Sequence, residues 1–243
     1  MRTAVIIMSR VPRPGKTKTR LMTRMNGQEC ADFHRAALRD ICQTVRESGL
    51  DGYIYYANDQ LDISEKQEFC LSDSLWSLSD NDNRLVVLRP QRGSNLGERM
   101  KNAARELLPK YDAVVLIGSD SPAVSPAHFQ QMLTMLSGYD LILGPAVDGG
   151  YYLLGMKMVY DDIFTGIPWG TAGVLKLTLA AADGLNLSYA LLEPLADIDT
   201  WQDLLDFVQT GLANAASYGQ LESFRYARYL AEKYAEDEEE TKQ

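Results

Sequence analysis

The stretch Ala113-Val114-Val115-Leu116-Ile117 constrains the fold most, because it sets five apolar residues in succession with no polar alternation. A strand with one wet face alternates apolar and polar side chains, whereas a parallel strand covered on both faces is apolar throughout. The run predicts a buried parallel strand, and parallel strands need long, usually helical, crossovers. The rest of the chain supplies them. Strand-like segments at Thr3–Ser9, Gly52–Ala57, Arg84–Leu88, Asp140–Ala146, Tyr151–Met156 and Asn186–Leu191 alternate with segments of helical spacing. Gln28–Ser48 carries Phe33, Ala37, Leu38, Ile41, Cys42 and Val45 at helical positions and is terminated at Gly49. Further helices are predicted at Gly97–Leu108, from the Ser125 cap and Pro126 to Ser137, from a Thr171 cap to Ala182, at Thr200–Gln209 and at Ser217–Tyr234. Asn58–Asn83 is polar and mixed and reads as helix and loop, and the acids Glu236–Glu240 read as a frayed, solvated end. Strand–helix alternation predicts an open, mostly parallel mixed sheet with helices on both faces. Residues 1–210 are expected to form one domain, with 211–243 as a C-terminal helix and tail packed on it.

Composition removes several function classes. A net charge of −9 and a pI near 4.8 argue against nucleic acid as a bulk partner. No apolar run approaches the roughly 18–20 residues that span a bilayer, and the N-terminal run is too short for a secretion signal, so a cytoplasmic protein without a membrane partner is expected. Cys30, Cys42 and Cys70 share no metal-like spacing and read as reduced, structural thiols. His34 and His128 are the only histidines, each falls in a predicted helix, and both read as structural. Catalysis must then rest on carboxylates, Lys/Arg, backbone amides or a metal.

In open α/β sheets the ligand lies beyond the carboxyl ends of the strands. The segment after the first strand, MSRVPRPGKTKTRL, begins at Met8, and six cations (Arg10, Arg13, Lys16, Lys18, Arg20, Arg24) fall between Arg10 and Arg24 without an acid. The chain is at −9, so without this +6 it stands at −15. Such a concentrated field suits a phosphate, the alternative being a solvated basic loop. It is not a Walker A loop, because GxxxxGK[ST] is absent. Lys18 and Arg20 sit two apart, and in an extended segment they point the same way, a point charge beside a bidentate fork. Asp120, in Gly118-Ser119-Asp120-Ser121-Pro122, is either a ligand to a divalent cation or a cap for the turn amides. Near the end, Thr200 and Asp203 read as a capping box, leaving Asp197, and after it Asp199, as the second metal candidate. Asp148-Gly149-Gly150-Tyr151 permits close backbone approach by a ligand, or is an ordinary hairpin turn. Ile167-Pro168-Trp169-Gly170-Thr171 offers aromatic surface to an acceptor, or is core.

The motifs MSRVPRPGKTKTRL, QRGSNLGERM, IGSDSP, GPAVDGGYYLLG, IPWGT and DIDTWQDL occur in this order over about Thr3 to Phe207. Together they resemble the DUF2064 family of GT-A-like transferases. Members are often described as glycosyltransferases, some linked to arsenosugar biosynthesis. The family is similar to the molybdenum-cofactor and 2-phospholactate guanylyltransferases. The resemblance implies the nucleotide-diphospho-sugar transferase fold, a three-layer α/β/α sandwich with a mostly parallel mixed sheet. By the same resemblance Arg10, Pro14, Gly15, Lys18 and Arg20 hold nucleotide phosphates, and Gly93, Leu96 and Gly97 contact the base. Asp120 and Asp197 hold a divalent metal (magnesium or manganese), and Asp148, Gly149, Gly150 and Tyr151 face the sugar or acceptor. Two departures are visible: Arg10 stands where many relatives have lysine, and Gly118-Ser119-Asp120 has one aspartate in place of Asp-x-Asp. The implied activity is sugar transfer from a nucleotide-diphosphate donor to a small-molecule acceptor, with Lys18 and Asp120 catalytic and Asp148 as acceptor-side base. The alternative is nucleotidyl transfer from an NTP with release of pyrophosphate, and a third reading is a nucleotide binder without catalysis. Monomer and homodimer both remain open, since the tyrosine-bearing last helix suits its own core or a second subunit.

Overall fold

The computed structural model describes residues 1–57 and 87–241. Cys70, the Asn58–Asn83 segment and the first residues of the Arg84–Leu88 strand lie outside the described residues. Within the description seven strands form one sheet: β1 (Thr3–Ser9), β2 (Asp51–Tyr56), β3 (Val87–Pro90), β4 (Ala113–Gly118), β5 (Leu141–Pro145), β6 (Tyr151–Met156) and β7 (Tyr189–Leu191). Their order is β3-β2-β1-β4-β6-β5-β7. All neighbours are parallel except β6, which runs antiparallel to both β4 and β5. The helices are α1 (Gly27–Glu47), α2 (Leu96–Leu107), α3 (Pro126–Leu136), α4 (Val174–Gly184), α5 (Trp201–Ala213), α6 (Ala215–Tyr218) and α7 (Glu222–Thr241). No described helix is long and apolar enough to cross a membrane.

The described chain divides into two compact units, and the sheet belongs to the first: Met1–Val11, Cys42–Gly118 and Val124–Leu195. The unbroken apolar runs are explained by what covers them. On one face Ala4, Ile6 and Met8 of β1 join Val114 and Leu116 of β4 and Leu154 and Met156 of β6 in a core with Met100, Ala103, Ala104 and Leu107 of α2. On the other face Gly155 leaves room for α3, because a Cβ there would stand 3.1 Å from the Met132 sulfur. Both faces are helix-covered, and each buried Leu or Ile contributes about 1.5–3 kcal/mol. Ser125 caps α3 as expected, and His128 at the third position completes a capping box that was not anticipated.

Thr171 does not cap α4. Its hydroxyl donates to the Pro168 carbonyl at 2.9 Å, Gly173 takes the cap position, and Leu175 N–H donates to the Gly149 carbonyl at 3.0 Å. A backbone turn thus replaces the expected side-chain cap. The last strand is shorter than expected, because Asn186 turns left-handed (φ 54°) and the Ser188 N–H and hydroxyl donate to Asp140.

The second unit comprises Pro12–Ile41, Ser119–Ala123 and Ala196–Gln243. Its core joins Leu21, Met25, Cys30 and Phe33 to Ile198, Leu204, Phe207, Phe224, Ala227 and Leu230. The segment expected to form one final helix is broken after Tyr218 and resumes as α7 at Glu222. The new start is capped from α1: Asp40 accepts from Glu222 N and Ser223 N, both at 2.8 Å, and from the Ser223 hydroxyl at 2.6 Å. Asp40→Ala strands these buried donors and should cost about 1–3 kcal/mol in urea unfolding. An unchanged midpoint would show that the cap is dispensable.

Candidate active site

Within the second unit one lysine gathers two of the acids singled out above, Asp120 and Asp199. Lys18 has left-handed backbone (φ 49°, ψ 41°) and caps a 3-10 turn at Thr19–Thr23. This region is uncommon for a residue with a side chain and marks local constraint. The Lys18 side chain is 4% exposed, and its ammonium lies 2.6 Å from Asp120 Oδ1 and 3.3 Å from Asp199 Oδ1. It also donates to the Ile198 carbonyl at 2.5 Å. An ammonium has three donors, and three acceptors meet it. Burial alone would push the Lys18 pKa down, but Asp120 and Asp199 more than offset this and hold it above its ordinary value.

The acids are fixed by their own neighbours. Ile198 N–H donates to the Asp120 carbonyl at 3.0 Å, joining the segment after β4 to the Asp197–Asp199 segment. The Ser121 hydroxyl donates to Asp197. Asp203 takes the capping role expected of it and accepts from Thr200 N at 2.7 Å and Asp199 N at 3.1 Å, which sets the turn that presents Asp199. Arg20, its side chain 72% exposed, reaches Asp199 at 3.6 Å. Lys18 and Arg20 therefore do converge, but through a 3-10 turn and a shared carboxylate; the extended segment imagined for them is absent. Pro14, Gly15 and Lys16 are exposed, and the Lys16 N–H closes a turn onto the Arg13 carbonyl at 3.1 Å.

The remaining predicted residues, Arg10 among them, lie in the first unit. Gly93 and Leu96 precede and open α2, where Asn95 caps by accepting from Glu98 N at 3.0 Å. Gly97 is accounted for by packing: a Cβ there would stand 2.4 Å from the Trp169 indole nitrogen. The same Trp169 ring meets Tyr151 edge-on at 6.4 Å, so it connects the α2 start with the Asp148–Tyr151 turn. Asp148 is exposed and its Oδ1 accepts from Gly150 N at 2.8 Å. The Tyr151 hydroxyl is buried, and burial pushes its pKa far up.

Among the described residues no three His, Cys, Asp or Glu side chains are grouped to hold a metal ion. A cation of the magnesium type asks for less: one or two carboxylates, waters and substrate phosphates. Asp120, its side chain 47% exposed, together with Asp197 beside the Ile198–Asp120 backbone bond, fits that smaller donor set. Asp199 was weighted lightly in the sequence, and Ser121 was not singled out. The only hint of them was the alternation Ser119-Asp120-Ser121 and the doubled acid in Asp197-Ile198-Asp199.

The sequence model of DUF2064, described as an uncharacterized protein conserved in bacteria, matches residues 41–171, more than half of the chain. The chain belongs to the DUF2064 family. A crystal structure from Desulfovibrio desulfuricans G20, provisionally named a nucleotide-diphospho-sugar transferase, is 31% identical to this DUF2064 chain. Coverage is 96% of this chain and 99% of that one, with a TM-score of 0.83. The 2-phospho-L-lactate guanylyltransferase of Methanocaldococcus jannaschii is 27% identical over 190 residues, covering 77% of this chain and 75% of that protein. A Mycobacterium tuberculosis protein solved in complex with manganese shares the fold at 15% identity and a TM-score of 0.51, over 85% of this chain and 97% of that one. The mixed, mostly parallel sheet of this DUF2064 chain is thus the nucleotide-diphospho-sugar transferase fold.

Proposed function

We propose that the chain transfers a nucleotidyl group from a nucleoside triphosphate, GTP first among those to test, to a small phosphorylated or hydroxylated acceptor. An acceptor oxygen bonds to the α-phosphorus, its proton passing to water where it is a hydroxyl, the bond from that phosphorus to the bridging oxygen breaks, and pyrophosphate leaves with the electron pair. The observation that carries the reading is the buried Lys18 held by Asp120 and Asp199 at the foot of an exposed basic loop. The guanylyltransferase relative favours nucleotidyl transfer as the first reading. Phosphoryl-type transfer depends mainly on positioning and charge neutralisation, which this cluster supplies. Lys18 fixes the two carboxylates, while Arg20 and Lys16 face the departing phosphates. Asp120 and Asp197 are the residues that would hold a divalent cation, which when bound neutralises phosphate oxygens.

Sugar transfer from a nucleotide-diphosphate donor is the second reading. It is supported by the Desulfovibrio relative, which spans nearly the whole chain, and it gives the exposed Asp148 its use as acceptor-side base. Thermal stabilisation by GTP, CTP, UTP, ATP and their diphosphates, with and without manganese, separates the readings. A ligand at about 100 times its Kd adds about 2.7 kcal/mol. The expected result is a metal-dependent shift largest with a triphosphate, followed by pyrophosphate release. A diphosphate preference would transfer the assignment to sugar transfer. A shift that ignores metal and survives Asp120→Asn would mark a binder without catalysis.

A further inference from the structure

Thr17, His34 and Ser119 form a buried polar chain, at 1%, 2% and 5% exposure. The Thr17 hydroxyl is hydrogen-bonded to His34 Nδ1, and His34 Nε2 is 3.2 Å from the Ser119 hydroxyl. The sequence positions of these contacts matter. Thr17 immediately precedes Lys18, Ser119 immediately precedes Asp120, and the side chains of Lys18 and Asp120 meet at 2.6 Å. One imidazole on α1 therefore grips both loops one residue upstream of the groups that pair.

We propose that His34 is a positioning residue, clamping the Thr17 and Ser119 loops to α1 so that Lys18 and Asp120 stay in register. That this register serves phosphate chemistry rests on the function proposed above; the clamp itself does not. The chemistry suits a fixed clamp. A neutral imidazole has one donor and one acceptor, and a hydroxyl can answer either, so both contacts close without a buried charge in either tautomer. An apolar residue of similar size would leave two buried hydroxyls without their ring partner. Helix α1 is a good frame, being 21 residues long and anchored by Cys30 and Phe33 in the core of its unit. Lys18, by contrast, sits in left-handed backbone, which persists where its surroundings hold it.

The test reads Lys18 directly. The full chain is treated briefly with acetic anhydride, and acetylation of Lys18 is measured by peptide mass spectrometry relative to Lys110 and Lys176. His34→Phe should raise Lys18 labelling about tenfold, as expected when a local opening becomes easier, with both reference lysines unchanged. Thr17→Val and Ser119→Ala, which cut one link each at nearly constant volume, should each give a smaller rise, and they carry the test if His34→Phe does not fold. His34→Asn places an amide near the Nδ1 position and His34→Gln near Nε2, so each should restore part of the protection. Unchanged Lys18 labelling in folded Thr17→Val and Ser119→Ala would overturn the proposal. So would the absence of any rescue by asparagine or glutamine, since that describes general loosening. The same samples are scanned for a thermal shift with GTP and manganese. No shift in the wild type, with the labelling pattern intact, would remove the proposed function and leave the clamp standing.

Discussion

Lys18→Met should reduce transfer by about a thousandfold and still yield a folded protein, measured as pyrophosphate release and as a cooperative thermal transition. Methionine keeps an unbranched, flexible stem but removes the charge that Asp120, Asp199 and the Ile198 carbonyl share. Loss of one preorganised electrostatic group typically costs 10²–10³ in rate. Here the same loss also removes the ammonium that the two carboxylates share. Stability should fall by about 1–3 kcal/mol and not by the larger cost of an orphaned buried charge, because both acids are roughly half exposed and water can answer them. The pH dependence has a definite sign. A lysine whose folded pKa is raised stabilises fully below its ordinary value of 10.5, and its contribution is lost as pH climbs through the folded value. The gap between wild type and Lys18→Met should therefore be constant near neutrality and close in alkali. Lys18→Arg should not rescue, since a planar fork cannot replace a compact ammonium among three acceptors this close. Transfer by Lys18→Met within a factor of about three of wild type would remove Lys18 from the active site.

The fold was legible where local chemistry dictated it. The Ala113–Ile117 run named a buried strand, parallel to β1 although antiparallel to β6, and Ser125-Pro126 and Thr200 with Asp203 named helix starts. Thr171 failed for an instructive reason: the N–H groups opening α4 are answered in part by the Gly149 carbonyl, a partner no local pattern discloses. The candidate site was legible as a set of residue types and illegible as a set of partners. Lys18 read as a phosphate ligand because a basic loop suggests one. The carboxylates that meet it lie 102 and 181 residues away, and no local pattern discloses them. His34 read as structural because a lone histidine on a helix usually is, and its meaning appears only when Thr17 and Ser119 are brought to its two nitrogens. At Gly97 the sequence showed a glycine without its reason, which in the structure is the Trp169 indole that leaves no room for a side chain.

Neighbouring glycines in one turn separate close packing from mere flexibility, and they give the second large effect. Gly149→Ala should destabilise the chain by about 3–5 kcal/mol, whereas Gly150→Ala should cost less than about 1 kcal/mol. Gly149 has φ 93°, and a Cβ there would stand 2.2 Å from the Ala172 carbonyl oxygen, with two more Ala172 backbone atoms at 2.8 Å. The left-handed conformation alone costs an alanine about 1–2 kcal/mol. The clash adds more because the obstacle is backbone, and that backbone cannot retreat freely: Leu175 N–H, one helical turn further on, is bonded to the Gly149 carbonyl itself. At Gly150 the nearest obstacle is the Asp148 carboxylate at 3.1 Å, the movable end of a side chain, and no positive φ is required. Denaturant midpoints of the two variants decide the matter. Equal, small losses would mean that the turn tolerates displacement from α4. A large loss confined to Gly149→Ala means that Asp148 is presented on a turn locked to that helix, so an Asp148→Asn variant then tests its chemistry without disturbing its position.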